Sequence, residues 1–194
     1  MALYTEEAVK FIREHKDESF FLYLPHSAVH FPIYPGEAFQ GKSNNGIYGD
    51  WVEEVDWSVG QVLDTIRELG LSENTLVIFT SDNGPWLLYG DHAGSAGPLR
   101  SGKGSSFEGG FRVPCVMRWP GRIPAGQKCG ELTATIDVLP TIAAAAGVSL
   151  PAGRKYDGYD LMPMLSGKTG KSPRREFAYY NGLTLEAIRR GPWK

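Results

Sequence analysis

N-T-L-V-I-F-T-S-D-N-G-P-W, residues 74–86, decides how this chain is read. The run T-L-V-I-F-T over 75–80 is short, apolar and β-branched, as expected for a strand buried in an α/β sheet. It ends abruptly on a carboxylate and an amide, Asp82 and Asn83. Followed by Gly84 and Pro85, these are ordinary turn formers that hydrogen-bond their own backbone. They are equally a pair of hard oxygen donors of the kind Ca2+ or Mg2+ prefers. The end of a strand is also where ligands of α/β sheets usually sit.

Upstream, residues 50–70 predict an amphipathic helix. Val52, Val55, Val59, Val62, Ile66 and Leu69 recur at three- and four-residue steps as its inward face, and Gly70 is its stop. Glu53, Glu54 and Asp56 read as a solvated, dipole-stabilising end, and Gly60 as a point of close packing onto the sheet. Helix then strand, across S-E-N, is one half of a β-α-β unit. Residues 5–15 predict an earlier helix, with Thr5 as cap and an inward stripe of Ala8, Val9, Phe11 and Ile12. F-F-L-Y-L at 20–24 reads as a buried parallel strand ended by Pro25. The irregular stretch from there to about Gly49 has the length of a binding loop.

Downstream, residues 115–119 within V-P-C-V-M-R-W-P predict another strand beyond Pro114. Residues 135–147 predict a helix with Gly147 past its end; Pro140 either sits in the first turn or marks a kink or later start. Residues 149–175 read as a connector with a short L-M-P-M-L apolar contact. F-A-Y-Y and A-I-R-R-G-P-W-K then suggest two strands of a hairpin or sheet edge, with the chain stopping on Trp193 and Lys194. The expected organisation is a main α/β region over 1–148 and a connector with a truncated C-terminal subdomain over 149–194.

With 194 residues and 42% hydrophobic content, the chain can bury one sizeable core. Twenty Lys and Arg against 22 Asp and Glu leave a net charge of -2, which offers no general attraction to nucleic acid or anionic membrane. Scattered tryptophans without a basic stripe do not make a nucleic-acid platform. No apolar run is long enough for a membrane span, and the opening residues lack a signal-peptide pattern. Cys115 and Cys129 make neither a disulfide framework nor a zinc cluster. They are expected to be unpaired, with Cys115 buried; a bridge between them is the alternative.

Three further segments carry chemistry-bearing residues. P-H-S-A-V-H-F-P at 25–32 holds His26 and His30 between prolines, either as structural hydrogen-bonding residues or as a positioned proton donor. R-S-G-K-G-S-S-F-E-G-G-F-R-V-P at 100–114 is not a phosphate loop, because Gly104 follows Lys103. Its glycines nevertheless allow close backbone approach, and Lys103 can place an ammonium beside a tetrahedral oxyanion. Glu108 and Arg112, four residues apart, suggest an ion pair holding that loop. Asp91 and His92 in D-H-A-G-S-A-G-P read as solvated loop residues. Motifs of serine hydrolases, zinc proteases and dinucleotide-binding enzymes are absent.

F-F-L-Y-L-P-H-S-A-V-H-F-P, V-E-E-V-D-W-S-V-G-Q-V-L-D, N-T-L-V-I-F-T-S-D-N-G and G-K-G-S-S-F-E-G-G-F-R-V-P-C-V-M-R-W-P-G, in this order, resemble the sulfatase family of the arylsulfatase type. T-I-D-V-L-P-T-I-A, Y-D-G-Y-D-L and R-R-G-P-W-K fit it too. The resemblance implies an alkaline phosphatase-like mixed-sheet α/β fold with a smaller C-terminal sheet region. It also implies hydrolysis of a small-molecule or glycan sulfate ester by a formylglycine nucleophile. By resemblance Asp82 and Asn83 are metal ligands for Ca2+, with Mg2+ as the alternative. Lys103 contacts the sulfate, and His30 lies near the leaving-group oxygen. His26 has weaker positional support.

The family makes formylglycine in a Cys/Ser-x-Pro-x-Arg segment, and neither cysteine here lies in one. The early Asp-Asp metal pair is also missing. The chain therefore reads as the later catalytic part of a sulfatase, inactive alone. Family members work in periplasmic, secreted or lysosomal settings, and this piece bears no address. The alternatives are a related metal-dependent phosphatase or phosphodiesterase, and a non-catalytic binding module.

Overall fold

A computed structural model describes residues 1–194. The chain divides into two compact units, Met1–Thr75 with Pro85–Gly97, and Leu76–Gly84 with Pro98–Lys194.

The first unit is built on two helices, α1 (Ala2–Glu14) and α2 (Gly46–Glu68). α1 starts earlier than the sequence predicts, so Thr5 does not cap it. Thr5 is buried inside the helix, and its hydroxyl lies 3.2 Å from the Met1 carbonyl and 2.7 Å from Ser58 Oγ of α2. Ala8 and Ile12 are buried as expected, whereas Val9 and Phe11 are only half-buried. Ile12 and Ile66 are almost fully enclosed, and each such side chain contributes about 1.5–3 kcal/mol.

The buried face of α2 coincides only in part with the predicted stripe, of which Ile66 is buried and Val55, Val59, Val62 and Leu69 are half-buried. Asp50, Trp51, Glu54, Ser58, Thr65 and Ile66 are buried, while Val52 is 42% exposed. Glu54, expected in solvent, is turned inward because it serves the preceding loop: its Oε2 accepts the Gly36 N–H at 2.9 Å. One turn earlier, Asp50 accepts the N–H groups of Gly41, Lys42 and Ser43 at 2.8, 3.1 and 2.8 Å. Gly60 does not mark close packing, since a Cβ there would meet nothing within 4 Å. Gly70 is the helix stop the sequence predicts, with φ +71. Leu71 N–H reaches the Ile66 carbonyl at 2.9 Å and Gly70 N–H that of Arg67 at 3.0 Å, as a left-handed C-terminal cap requires.

Residues 20–24 belong to no ladder; their side chains alternate between half-buried and exposed, and Tyr23 is 76% exposed. The expected buried parallel strand is not formed, because no other strand of this chain pairs with it.

The second unit holds two antiparallel strand pairs. β1 (Val77–Thr80) pairs with β2 (Cys115–Arg118), with Thr80 opposite Cys115. β1 is half-exposed rather than buried, and its partner runs antiparallel. A short helix α3 (Glu108–Phe111) precedes β2, and α4 (Val138–Ala145) follows a 3-10 turn at Thr135–Asp137. Pro140 lies in the first turn of α4, where its missing N–H costs nothing. The expected connector contains a further one-turn helix, α5 (Met162–Leu165), preceded by fully buried Leu161. The last two strands, β3 (Glu176–Asn181) and β4 (Thr184–Arg190), form a hairpin, as the sequence suggests.

A buried ion pair ties the later segments together. Asp137, wholly enclosed, accepts Arg174 Nε at 2.9 Å and Nη2 at 2.5 Å. It also accepts the N–H groups of Ala134 at 2.8 Å and Tyr159 at 2.9 Å, so all its acceptor directions are used. Both cysteines are exposed and unpaired, so Cys115 is not the buried thiol its apolar neighbours suggest.

Candidate active site

The site of the second unit begins where β1 stops. Thr80 Oγ1 donates to the Pro114 carbonyl at 3.0 Å, closing the end of the β1–β2 ladder. The chain then turns through residues 81–84. Ser81 Oγ donates to the Asn83 carbonyl at 3.0 Å, and Asn83 Nδ2 donates to Asp82 Oδ1 at 3.0 Å. The turn reading of the D-N-G stretch is met in these bonds, in which the Asn83 amide nitrogen faces the Asp82 carboxylate.

Glycines bring the second segment against this turn. Gly84 N–H donates to the Gly110 carbonyl at 2.9 Å, and Gly109 N–H to that of Arg100 at 2.9 Å. A Cβ on Gly84 would fall 1.7 Å from the Gly109 carbonyl oxygen, and one on Gly109 2.0 Å from that of Ser101. Side chains at either place would push backbone apart. This is why S-D-N-G and E-G-G occur together: three strands of backbone touch there with no room between them.

Ser101, at φ 63, and Gly104, at φ 85, bend the loop that carries Lys103. Ser105 donates through both N–H and Oγ to the Gly102 carbonyl, at 3.3 and 2.8 Å. The result is a partly open cleft of 270 Å³. Asp82 and Asn83 line one part of it, Lys103 and Ser105 another, and Tyr180 and Asn181 of the hairpin a third. Twenty residues separate Asp82 from Lys103 only along the chain; the fold places both on one cleft.

Glu108 does not pair with Arg112. Its carboxylate accepts Arg189 Nη1 at 2.8 Å, Lys194 Nζ at 3.1 Å and the Tyr179 hydroxyl at 3.2 Å. Partial burial works to raise this carboxyl, but the Lys194 hydrogen bond and the charges of Arg189 and Lys194 outweigh it and hold it below the ordinary carboxylate range. These partners lie in β3, β4 and beyond. Nothing in the sequence near Glu108 points to them.

His30 belongs to the first unit. It is exposed, its ring centroid is 5.5 Å from that of Trp86, and its neighbour Phe31 stacks on Tyr89 at 4.0 Å. Nδ1 lies 2.7 Å from the Phe31 carbonyl. Since a carbonyl only accepts, Nδ1 is the donor in this bond. His26 is half-buried, its Nδ1 is enclosed without a hydrogen-bond partner, and burial lowers its pKa. Asp91 and His92 are exposed, as the sequence suggests. No three His, Cys, Asp or Glu side chains gather into a cluster that could hold a metal ion by themselves.

The family model described as Sulfatase matches residues 1–148. The chain belongs to the sulfatase family. It is 44% identical to human steryl-sulfatase over 193 residues, covering 97% of this chain and 33% of that protein. It is 43% identical to the N-acetylgalactosamine-6-sulfatase of Canis lupus familiaris over 195 residues, covering 99% of this chain and 37% of the relative. Among solved structures, the PsFucS1 sulfatase from Pseudoalteromonas sp. superposes with a TM-score of 0.91 at 35% identity, over 96% of this chain and 38% of the other. This sulfatase chain thus spans about a third of the length of the curated relatives it matches. Its fold is the mixed α/β fold of the family in part, with small antiparallel sheets. No helix is long and apolar enough to cross a membrane.

Proposed function

We propose that this chain is the later catalytic part of a sulfuric ester hydrolase acting on a small-molecule or glycan sulfate ester. In this reading Asp82 and Asn83 ligate Ca2+, Lys103 binds the sulfuryl oxygens, and His30 serves the leaving group. The observation that carries it is the shared cleft, which Asp82, Asn83 and Lys103 all line. A tetrahedral dianionic or monoanionic group fits between a cation and a lysine, whereas a surface turn needs neither.

The residues fit a hard divalent ion. Asp82 and Asn83 offer a carboxylate and an amide oxygen, on adjacent side chains joined by the Asn83 Nδ2–Asp82 Oδ1 hydrogen bond of 3.0 Å. Two residues fall short of the roughly six to eight oxygens that Ca2+ takes, so the rest of the set belongs to other parts of the full-length hydrolase. Bound there, the cation would act as a Lewis acid on the sulfuryl oxygens. A formylglycine supplied by the full-length protein would provide the nucleophile.

The chain's own groups do the remaining work. Lys103 offsets negative charge on the non-bridging oxygens as it shifts toward them in the transition state. His30, with Nδ1–H committed to the Phe31 carbonyl, would serve the departing alkoxide through its other ring nitrogen. Support for the substrate class comes from relatives whose names include steryl-sulfatase and N-acetylgalactosamine-6-sulfatase.

The test is Lys103→Ala in the full-length hydrolase with its matured nucleophile. Loss of one such oxyanion contact lowers kcat/KM by about 10²–10³. Unchanged turnover of sulfate esters, or faster turnover of the matching phosphate esters, would overturn the reading. The 194-residue chain alone is expected to leave an aryl sulfate intact.

A further inference from the structure

The hairpin does more than form a wall of the cleft. Ser106, three residues after Lys103, lies 2.5 Å from Glu186 Oε2 of β4 through its hydroxyl, which must donate. The other oxygen of Glu186, Oε1, accepts Asn181 Nδ2 at 3.1 Å, so one carboxylate joins the lysine loop to the hairpin turn that lines the cleft. The Ser106 carbonyl accepts the Lys194 ammonium. Two residues further, Glu108 receives Arg189, Lys194 and Tyr179.

The two Glu186 bonds are exposed, but the Glu108 cluster differs from ordinary surface pairs. The side chains of Glu108, Arg189 and Lys194 are only 25%, 22% and 21% exposed, whereas Arg190 and Glu176, a pair on the same hairpin, are 78% and 57% exposed. Solvent screens the latter pair, which is therefore worth little. The loop, by contrast, has no regular secondary structure between Arg100 and Phe107. Its C-terminal half takes its placement from the hairpin.

We propose that the β3–β4 hairpin is a positioning device for sulfate binding, in which Ser106–Glu186 and the Glu108 cluster hold the loop that aims Lys103 into the cleft. The proposal rests on the reading that Lys103 binds the sulfuryl group. Glu186 and Glu108 touch no substrate; they act through the lysine.

The experiment uses the full-length hydrolase, a sulfate ester, and inorganic sulfate as a competitive probe. Ser106→Ala removes the Ser106–Glu186 bond and is expected to raise KM and the sulfate inhibition constant roughly tenfold, the effect of one charge-assisted hydrogen bond, and Glu186→Ala, which also loses the Asn181 bond, is expected to raise them at least as much. Ser106→Thr keeps the hydroxyl and restores both constants. Arg190→Gln, which breaks only the exposed pair, leaves both unchanged. A merely structural role would lower the unfolding temperature of Ser106→Ala without moving the inhibition constant, and that result overturns the proposal. So does an unrescued loss confined to kcat. If Lys103→Ala itself leaves sulfate inhibition unaltered, the reading beneath the proposal fails instead.

Discussion

Two loops of this chain are fastened by carboxylates, and in opposite ways. The loop at 36–43 is held by Asp50 and Glu54, one turn apart on α2, which accept four backbone N–H groups. Its anchors lie no more than 18 residues from what they hold. The Lys103 loop is held by side chains that come from 71 to 88 residues later in the chain. A loop secured through its own backbone by a neighbouring helix needs only that helix to form. One secured by a distant hairpin is built only when the whole unit folds, and its geometry inherits every change in that hairpin.

Asp137 combines both modes and is the hardest test of them. Asp137→Ala leaves Arg174 enclosed without its charge partner, and destabilisation of about 3–5 kcal/mol is expected in denaturant unfolding. A loss under about 1 kcal/mol would mean that such a carboxylate is dispensable here. Next comes the backbone junction beneath the lysine loop. Gly109→Ala drives a Cβ against the Ser101 carbonyl, with an expected cost of about 1–3 kcal/mol or more from overpacking. Sulfate inhibition should weaken with it, because the displaced backbone carries Lys103.

The pH dependence separates the two modes more finely. Glu108 has a folded-state pKa below the reference value of 4.5. Its contribution to stability is therefore complete above 4.5 and is lost as the pH falls from there through the lower folded value. Glu108→Gln should flatten the thermal midpoint across that acid window; an identical acid slope in both proteins would contradict the assignment. Asp50 is also held below its reference of 3.8, first by the Ser43 and Gly41 N–H groups. Its contribution is lost in the same direction at lower pH, and Asp50→Asn should expose residues 36–43 to proteolysis while sparing sulfate inhibition.

The smallest effect has the opposite sign. Gly60 lies within α2, with open space where a Cβ would stand. Gly60→Ala should therefore stabilise by about 0.5–1 kcal/mol through helix propensity. A destabilising outcome in thermal unfolding would show that something else packs on that face.

Much of the fold was legible because it depends on local chemistry. Gly70 stops α2 through a positive φ that few other residues adopt, and Pro140 sits where a helix start tolerates it. The glycines of the lysine loop announced close backbone approach, and Gly84, Gly109 and Gly110 do touch. The failures share one cause. Periodicity shows that a helix has an apolar side, but not whether another group will offer a better partner to its polar side. On α2, loop N–H groups did so for Asp50 and Glu54, which are buried while Val55, Val59 and Val62 are only half-buried and Val52 is exposed. The 20–24 run shows the same limit, since burial of a strand depends on neighbours that its own residues do not specify.

The amino-acid sequence by itself determined the two long helices, the β1, β2 and hairpin strand segments, and the motif order by which the chain resembles a sulfatase. Backbone conformation and side-chain chemistry are properties of residues and near neighbours, so they can be read in line. Only the tertiary structure decided that Glu108 answers to Arg189, Lys194 and Tyr179 rather than to Arg112, and that a hairpin 80 residues away reaches Ser106 through Glu186. A charge pairs with whatever packing brings within about 3 Å of it, and that distance is a property of the folded chain alone.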